Sequence, residues 1–327
     1  MGRSFAKLAA LLMGTLFCVV PAQAAPLFLY TSQPDQDVRV LLEAFGKLHP
    51  EVEVRVFRSG TEEVLSKVLA ERMTGEVQAD VLLLADAISF ERLKAEGVLE
   101  PYRSPEAEGL PDAFRDPDGA YCGTKMLATV LVFNTAAGGT VEPSWRALLA
   151  AENADRAIMA SPLYSGAAAY QLGVLTRSEG FGWSFYEALK RNGVAVGKGN
   201  GSIITAVAGG ERFFGPVVDY MARRAKAKGS PVDYVYPEEG SPIITEPVGI
   251  VAKDGPRDDA RRFVDFVLSE RGQALFSEMG YVPVRKGVPV PEGLHGIDRV
   301  RILSADVAVL TGEREHDKSR FSELFGH

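Results

Sequence analysis

Cysteine is nearly absent from this chain of 327 residues, which has only two, Cys18 and Cys122. Cys18 falls in an apolar leader, so one cysteine is left beyond it. That excludes an internal disulfide and a cysteine-built metal cluster. Histidine is also scarce: there are four, His49, His295, His316 and His327. Their spacing suggests neither a metal site nor a Ser-His-Asp set. No Gly-x-Ser-x-Gly occurs, and no phosphate loop ending in Gly-Lys-Ser/Thr. An excess of positive charge is missing too. The net charge of −7 argues against a general nucleic-acid binder. No apolar run beyond the leader has the length of a membrane span.

The beginning of the chain is informative. Arg3 and Lys7 precede the apolar run 8–20, and Pro21-Ala22-Gln23-Ala24-Ala25 follows. A basic start, a short apolar core and a small-x-small site read as a secretory signal peptide over 1–24, cut after Ala24. The chain is therefore expected to be an exported, periplasmic protein. Its 46% hydrophobic and 24% charged composition is that of a soluble globular protein. The length suits two domains of ordinary size.

Along the rest of the chain, strand and helix patterns alternate. Apolar residues 26–30 read as a first strand. Val38, Leu41, Leu42, Phe45 and Leu48 then recur at helical spacing. Residues 52–57 alternate as a half-buried strand and 79–84 form a third. This predicts an α/β fold of mainly parallel sheets flanked by helices. The apolar run 126–133 reads as a strand crossing into a second lobe, and 243–252, broken by Glu246-Pro247, as the return. The expected division is lobe 1 over 25–125 and 247–295, and lobe 2 over 126–246 and 296–327. Residues 257–279 read as one long amphipathic helix.

Four junctions share a design: each places small and hydroxyl residues just after a strand. They are Thr31-Ser32, Ser59-Gly60-Thr61, Ser161 with Ser165-Gly166-Ala167, and Gly199-Asn200-Gly201-Ser202. Helix N-termini carry unpaired N–H groups and the positive end of the helix dipole, which suit an anion. Any one of these junctions could be an ordinary helix cap. The joint pattern, two from each expected lobe and all after strand ends where open α/β sheets bind ligands, points to one small anion in a cleft. Ser59, Ser165, Gly166 and Ser202 lead the set. Asp219-Tyr220, at a strand end, could accept from a ligand amine or hydroxyl and donate to an oxyanion. Tyr236 and Glu246 are further candidates. Lys198 could lend charge, though a lysine in a glycine-rich loop is usually just solvated. No catalytic set can be assembled, and no cofactor or resident metal is expected.

Several segments, in this order, carry a resemblance: Leu29-Tyr30-Thr31-Ser32, Arg58-Ser59-Gly60-Thr61-Glu62, Ala79-Asp80-Val81-Leu82-Leu83, Ser161-Pro162-Leu163-Tyr164-Ser165-Gly166-Ala167-Ala168, 206–211 and Gly280-Tyr281-Val282-Pro283-Val284. The chain resembles extracellular solute-binding proteins of ABC importers. The group concerned includes periplasmic ferric-binding proteins and relatives that take phosphorylated sugars or phosphonates. The resemblance implies a type II two-lobed fold that closes on its ligand by a hinge. It also implies a monomer that delivers a small anionic ligand to an inner-membrane permease, or presents it to a sensor kinase. Ferric members use adjacent tyrosines. Here the matching position reads Asp219-Tyr220-Met221, so only Tyr220 would remain for iron, and a hard ferric ion wants several anionic oxygens. The hydroxyl-rich helix starts fit a phosphonate or phosphate ester better.

Overall fold

The computed structural model describes residues 25–255 and 257–326. The signal-peptide reading of 1–24 lies outside the described residues. The first lobe opens on strand β1 (Leu27–Thr31), helix α1 (Asp35–Gly46), strand β2 (Val54–Arg58), helix α2 (Thr61–Thr74), strand β3 (Val81–Leu83) and helix α3 (Ala87–Ala95). Strands β2, β1 and β3 pair in parallel, with Leu29 opposite both Val56 and Val81. The helical spacing seen in the sequence is the buried face of α1, where Val38, Leu41 and Phe45 point inward. Strand β2 is the edge of the sheet and is largely exposed.

After the short β4 (Leu99–Glu100) and two single turns of 3-10 helix comes β5 (Cys122–Asn134), thirteen residues and all buried. It is shared by both lobes. Its first half pairs with β10 (Ser241–Val251) and, later in the chain, with β11 (Val282–Pro283). Its second half pairs with β8 (Phe214–Val218) and β9 (Val232–Val235). All these pairings are antiparallel. Strand β10 crosses back beside it and reaches β3 at its far end. The ladder between β5 and β10 slips between Thr245 and Pro247. Proline has no N–H to give there, and two residues of β5, Thr124 and Lys125, lie opposite the single Glu246, so the bulge is on β5.

The second lobe is built from β6 (Ile158–Ala160), helices α4 (Gly166–Arg177) and α5 (Gly182–Arg191), strand β7 (Ala195–Gly197), helix α6 (Asn200–Ala208), β8, helix α7 (Asp219–Ala227) and β9. Strands β6 and β7 are parallel. Each lobe has its own core: Leu29, Phe45, Leu83, Phe263 and Phe276 belong to one, and Trp145, Leu172, Phe185 and Phe214 to the other.

The long helix expected over 257–279 is two helices, α8 (Asp258–Leu268) and α9 (Glu270–Glu278). Ser269 between them is extended (φ −62°, ψ 162°), and its hydroxyl accepts from Gly272 N at 3.1 Å, capping α9. The cap stabilises the break. The chain closes with β12 (Ile302–Leu303), parallel to β10, and α10 (Val307–Phe325). Helix α10 packs against α4 and α5 of the second lobe and against α3 of the first.

Candidate functional site

Between the lobes lies a cavity of about 400 Å³. The first lobe contributes Ser32, Arg58, Gly60, Thr61 and Ala85, and the second Tyr164, Ser165, Gly166, Asn200, Ser202 and Tyr220, among others. Leu127, Ile244 and Glu246 of the crossing strands also line it. The lobes touch around it. Glu62 N–H donates to Tyr164 O across the gap at 3.4 Å. A Cβ placed on Gly166 would stand 2.5 Å from the carbonyl oxygen of Ala85, and one on Gly60 would stand 2.5 Å from the Tyr164 ring. This is a closed arrangement, and the glycines permit it.

Four helices begin at the cavity wall: α2, α4, α6 and α7. The caps of α2 and α6 are glycines, Gly60 and Gly199. They bring no side-chain acceptor, so first-turn N–H groups other than those of Glu62 and Ser202, which donate to Tyr164 O and Gly199 O, are left to face a ligand. Ser165 caps α4, its hydroxyl accepting from Ala168 N at 3.3 Å. Ser202 accepts from Gly199 N at 3.2 Å and donates to Gly199 O at 2.7 Å. Asn200 ties three elements together. Its amide donates to Ser165 Oγ at 3.2 Å, and its Oδ1 accepts from Val218 N at 3.3 Å. The wall is therefore cross-linked before any ligand arrives.

Two cations also face the cavity. Arg58 donates through Nε to Gln33 O at 2.9 Å. Lys198 Nζ stands 4.4 Å from the centre of the Tyr164 ring and 3.8 Å from Glu63. The one acid of the lining, Glu246, is ion-paired to buried Lys125 at 2.6 Å and accepts from Gln33 Nε2 at 3.3 Å. Helix dipoles, Arg58 and Lys198 therefore set the sign of the pocket, and it is positive.

The structure brings Ser32, Gly60, Thr61, Ser165, Gly166, Ala167, Asn200, Ser202 and Tyr220 to one wall or another of this cavity. Others of the expected set lie elsewhere. Thr31 is turned into the β1–β3 seam, donating to Leu83 O at 2.7 Å. Ser59 faces outward and bonds Glu63 of its own helix. Ser161 accepts from Leu163 N at 3.2 Å and lines a separate recess with Glu63 and Lys198. Asp219 and Tyr236 pair with each other, the phenol donating to the carboxylate at 3.1 Å, and neither lines the cleft. Tyr236 also stacks on His295 with ring centres 4.2 Å apart. The residues missed by inspection of the sequence are Arg58, a cation closing its strand, and Tyr164, an aromatic in a small-residue loop. Lys198, read as a solvated loop lysine, and Glu246, a further candidate, also line the cavity.

Burial pushes the Asp219 carboxyl up to about 7, against the pull of hydrogen bonds from Tyr220 N–H and Tyr236 OH. Its unfolded value is about 3.9. Stability from this group is therefore complete below about pH 4 and is lost as pH rises through about 7. Asp219→Asn should melt close to the parent at about pH 4 and above it at pH 8, by at most about 4 kcal/mol. Identical melting profiles for the two proteins across that range would show that Asp219 is not the titrating group.

Burial also raises the pKa of Tyr220, so its phenol stays protonated. Its ring packs on Tyr281 with centres 4.2 Å apart. Among the described residues no group of three or more His, Cys, Asp or Glu is placed to hold a metal.

A family profile described as bacterial extracellular solute-binding protein matches residues 28–282. The chain belongs to that family. Among relatives of this solute-binding protein is one from Sinorhizobium fredii, provisionally named ABC transporter periplasmic-binding protein y4fP. It is 25% identical over 285 residues, covering 84% of this chain and 77% of the relative. Iron uptake protein A1 of Synechocystis is 24% identical over 276 residues, covering 76% and 73%. The structure of the periplasmic binding protein AfuA from Actinobacillus pleuropneumoniae, bound to fructose-6-phosphate, superposes with a TM-score of 0.82. That match has 20% identity and covers 92% of this chain and 98% of the other. The two-lobed architecture is thus the type II fold of periplasmic binding proteins.

Proposed function

We propose that this solute-binding protein serves an ABC importer by capturing a small organophosphorus anion, a sugar phosphate or a phosphonate, in the inter-lobe cleft. The observation that carries this reading is the convergence of four helix N-termini, with Arg58 and Lys198, on one cavity. Such a wall meets a phosphoryl or phosphonyl group with peptide N–H groups, hydroxyls and two cations. Binding draws on contacts from both lobes, so the ligand favours the closed form. A cavity of about 400 Å³ falls in the range of pockets for sizeable organic ligands. That favours a phosphorylated sugar over the much smaller 2-aminoethylphosphonate. Glu246 then offers its carboxylate to hydroxyl or amine donors at the other end of the ligand.

Iron capture is the reading that one relative's name invites. The site opposes it with few oxygen ligands for a hard ferric ion: Tyr164 and Tyr220 are not adjacent in sequence, and Glu246 is already ion-paired to Lys125. A thermal-shift comparison decides between them, using the mature protein with fructose 6-phosphate, 2-aminoethylphosphonate, inorganic phosphate and ferric citrate. A ligand at a thousand times its Kd stabilises by about 4 kcal/mol. One of the two organophosphorus compounds should raise the melting temperature by several degrees. A shift with ferric citrate alone, together with a visible absorption band, would overturn the proposal.

A further inference from the structure

Helix α10 meets the two lobes by different chemistry. Toward the second lobe it is anchored by apolar contact and by ion pairs, among them Glu313 to Arg177 at 4.0 Å and Arg320 to Glu187 at 3.5 Å. Phe321 and Phe325 belong to that lobe's core, Leu310 packs on Val174, and Asp317 meets Arg177 at 2.6 Å. Toward the first lobe Leu310 also meets Ile88 of α3, and the other main contacts are ionic. The Arg314 guanidinium reaches Glu62 at 2.7 Å and Asp86 at 2.8 Å, and Lys318 reaches Glu62 at 2.6 Å. Arg92 of α3 meets Glu315 at 2.7 Å.

The central groups are out of water. The side chains of Arg314, Glu62 and Asp86 are 5%, 7% and 0% exposed. Burial works against the charge on Glu62, but Arg314 and Lys318 outweigh it and hold the carboxyl below its ordinary range. Two carboxylates from one lobe face two cations from the other, so the cluster is balanced only while the lobes are together. Both carboxylates adjoin the cleft. Glu62 is in the first turn of α2, one residue beyond Thr61, and Asp86 follows Ala85; Thr61 and Ala85 both line the cavity.

An apolar anchor survives separation of the lobes, because its partner moves with it. A cluster of ions between two bodies does not. Once the lobes part, its members are solvated separately, at little loss to either side. We propose that α10 is a closure latch: carried by the second lobe, it reaches past the cleft with Arg314 and Lys318 and holds the first lobe through Glu62 and Asp86. Part of the free energy of the closed form is then built into the C-terminal helix, whatever solute is taken up. Release must break this cluster as well as the ligand contacts.

Spin labels at exposed Met73 and Glu211 (Met73→Cys, Glu211→Cys), one on each lobe, report lobe separation in the mature chain with no ligand added. The test therefore stands apart from the identity of the solute. The parent should show a short-distance population. Arg314→Met, which leaves two buried carboxylates short of a partner in the closed form only, should lower the closed-to-open ratio at least tenfold. Lys318→Gln should lower it in the same direction by less, and it decides alone if Arg314→Met does not fold. Unchanged distance distributions in the folded variant would overturn the latch.

Discussion

Gly166→Ala should leave the ligand-free protein as stable as the parent or slightly more so, and weaken ligand binding by about 5- to 150-fold. The two effects come from the two states of the cleft. Gly166 is the first residue of α4, in ordinary helical backbone, where alanine is the better helix former by up to about 1 kcal/mol. The three atoms nearest to a methyl group there all belong to the first lobe. In the closed arrangement that methyl would stand 2.5 Å from the Ala85 carbonyl oxygen and 3.0 Å from Thr61 Cβ, both in the first lobe. A backbone oxygen cannot swing away as a side-chain tip can. Overpacking of this kind costs about 1–3 kcal/mol or more, charged entirely to closure. A ligand that needs both lobes loses that amount from its affinity, tenfold for each 1.4 kcal/mol. Calorimetric titration with whichever compound shifts the melting temperature most, beside melting of the free protein, measures both effects. Affinity within threefold of the parent would show that the lobes do not close to this distance around the solute.

The crossing strands were readable in the sequence because they are long, mostly apolar runs, and β5 and β10 occupy those runs. The break at Ser269 was not, because a single serine in a helical pattern carries no glycine or proline signal. Only the packed α8 and α9 show that its hydroxyl caps a second helix. In the site, the helix starts after strands were visible as composition, but the phase of each loop was not. At the end of β2, Arg58 faces the cleft while its neighbour Ser59 faces Glu63. One residue of register decides which functional group the ligand meets, and register is set by the sheet, not by local pattern. Asp219 looked free at a strand end. Its partner, Tyr236, comes from the far side of α7 and β9, a contact only the fold creates.

Lys125→Met is expected to be the most destabilising single change in the crossing strands. Lys125 lies on β5, is fully buried, and places Nζ 2.6 Å from Glu246 and 3.3 Å from Thr124 Oγ1. The ring centres of Phe276 and Tyr281 stand 4.3 Å and 4.9 Å from the ammonium. Burial drives its pKa down, and Glu246 pulls it back only in part. The two charges are therefore held on adjacent crossing strands at a net desolvation cost. Such a pair adds little to stability as a whole, yet removing one member leaves the other charged and unmatched, at about 3–5 kcal/mol. For a chain of this size that is a fall in melting temperature on the order of 10 °C. The companion experiment separates the pair from its members. Lys125→Met with Glu246→Gln removes both charges and should recover most of the loss, because an uncharged pair has no penalty to offset. A single variant that melts within about 2 °C of the parent would mean that water already reaches the pair. If the double variant recovers stability without recovering affinity, Glu246 is needed as a charge at the cleft. Lys125 then serves as the partner of a carboxylate where the two lobes meet, and that would account for ions at a position where the surrounding strands are otherwise apolar.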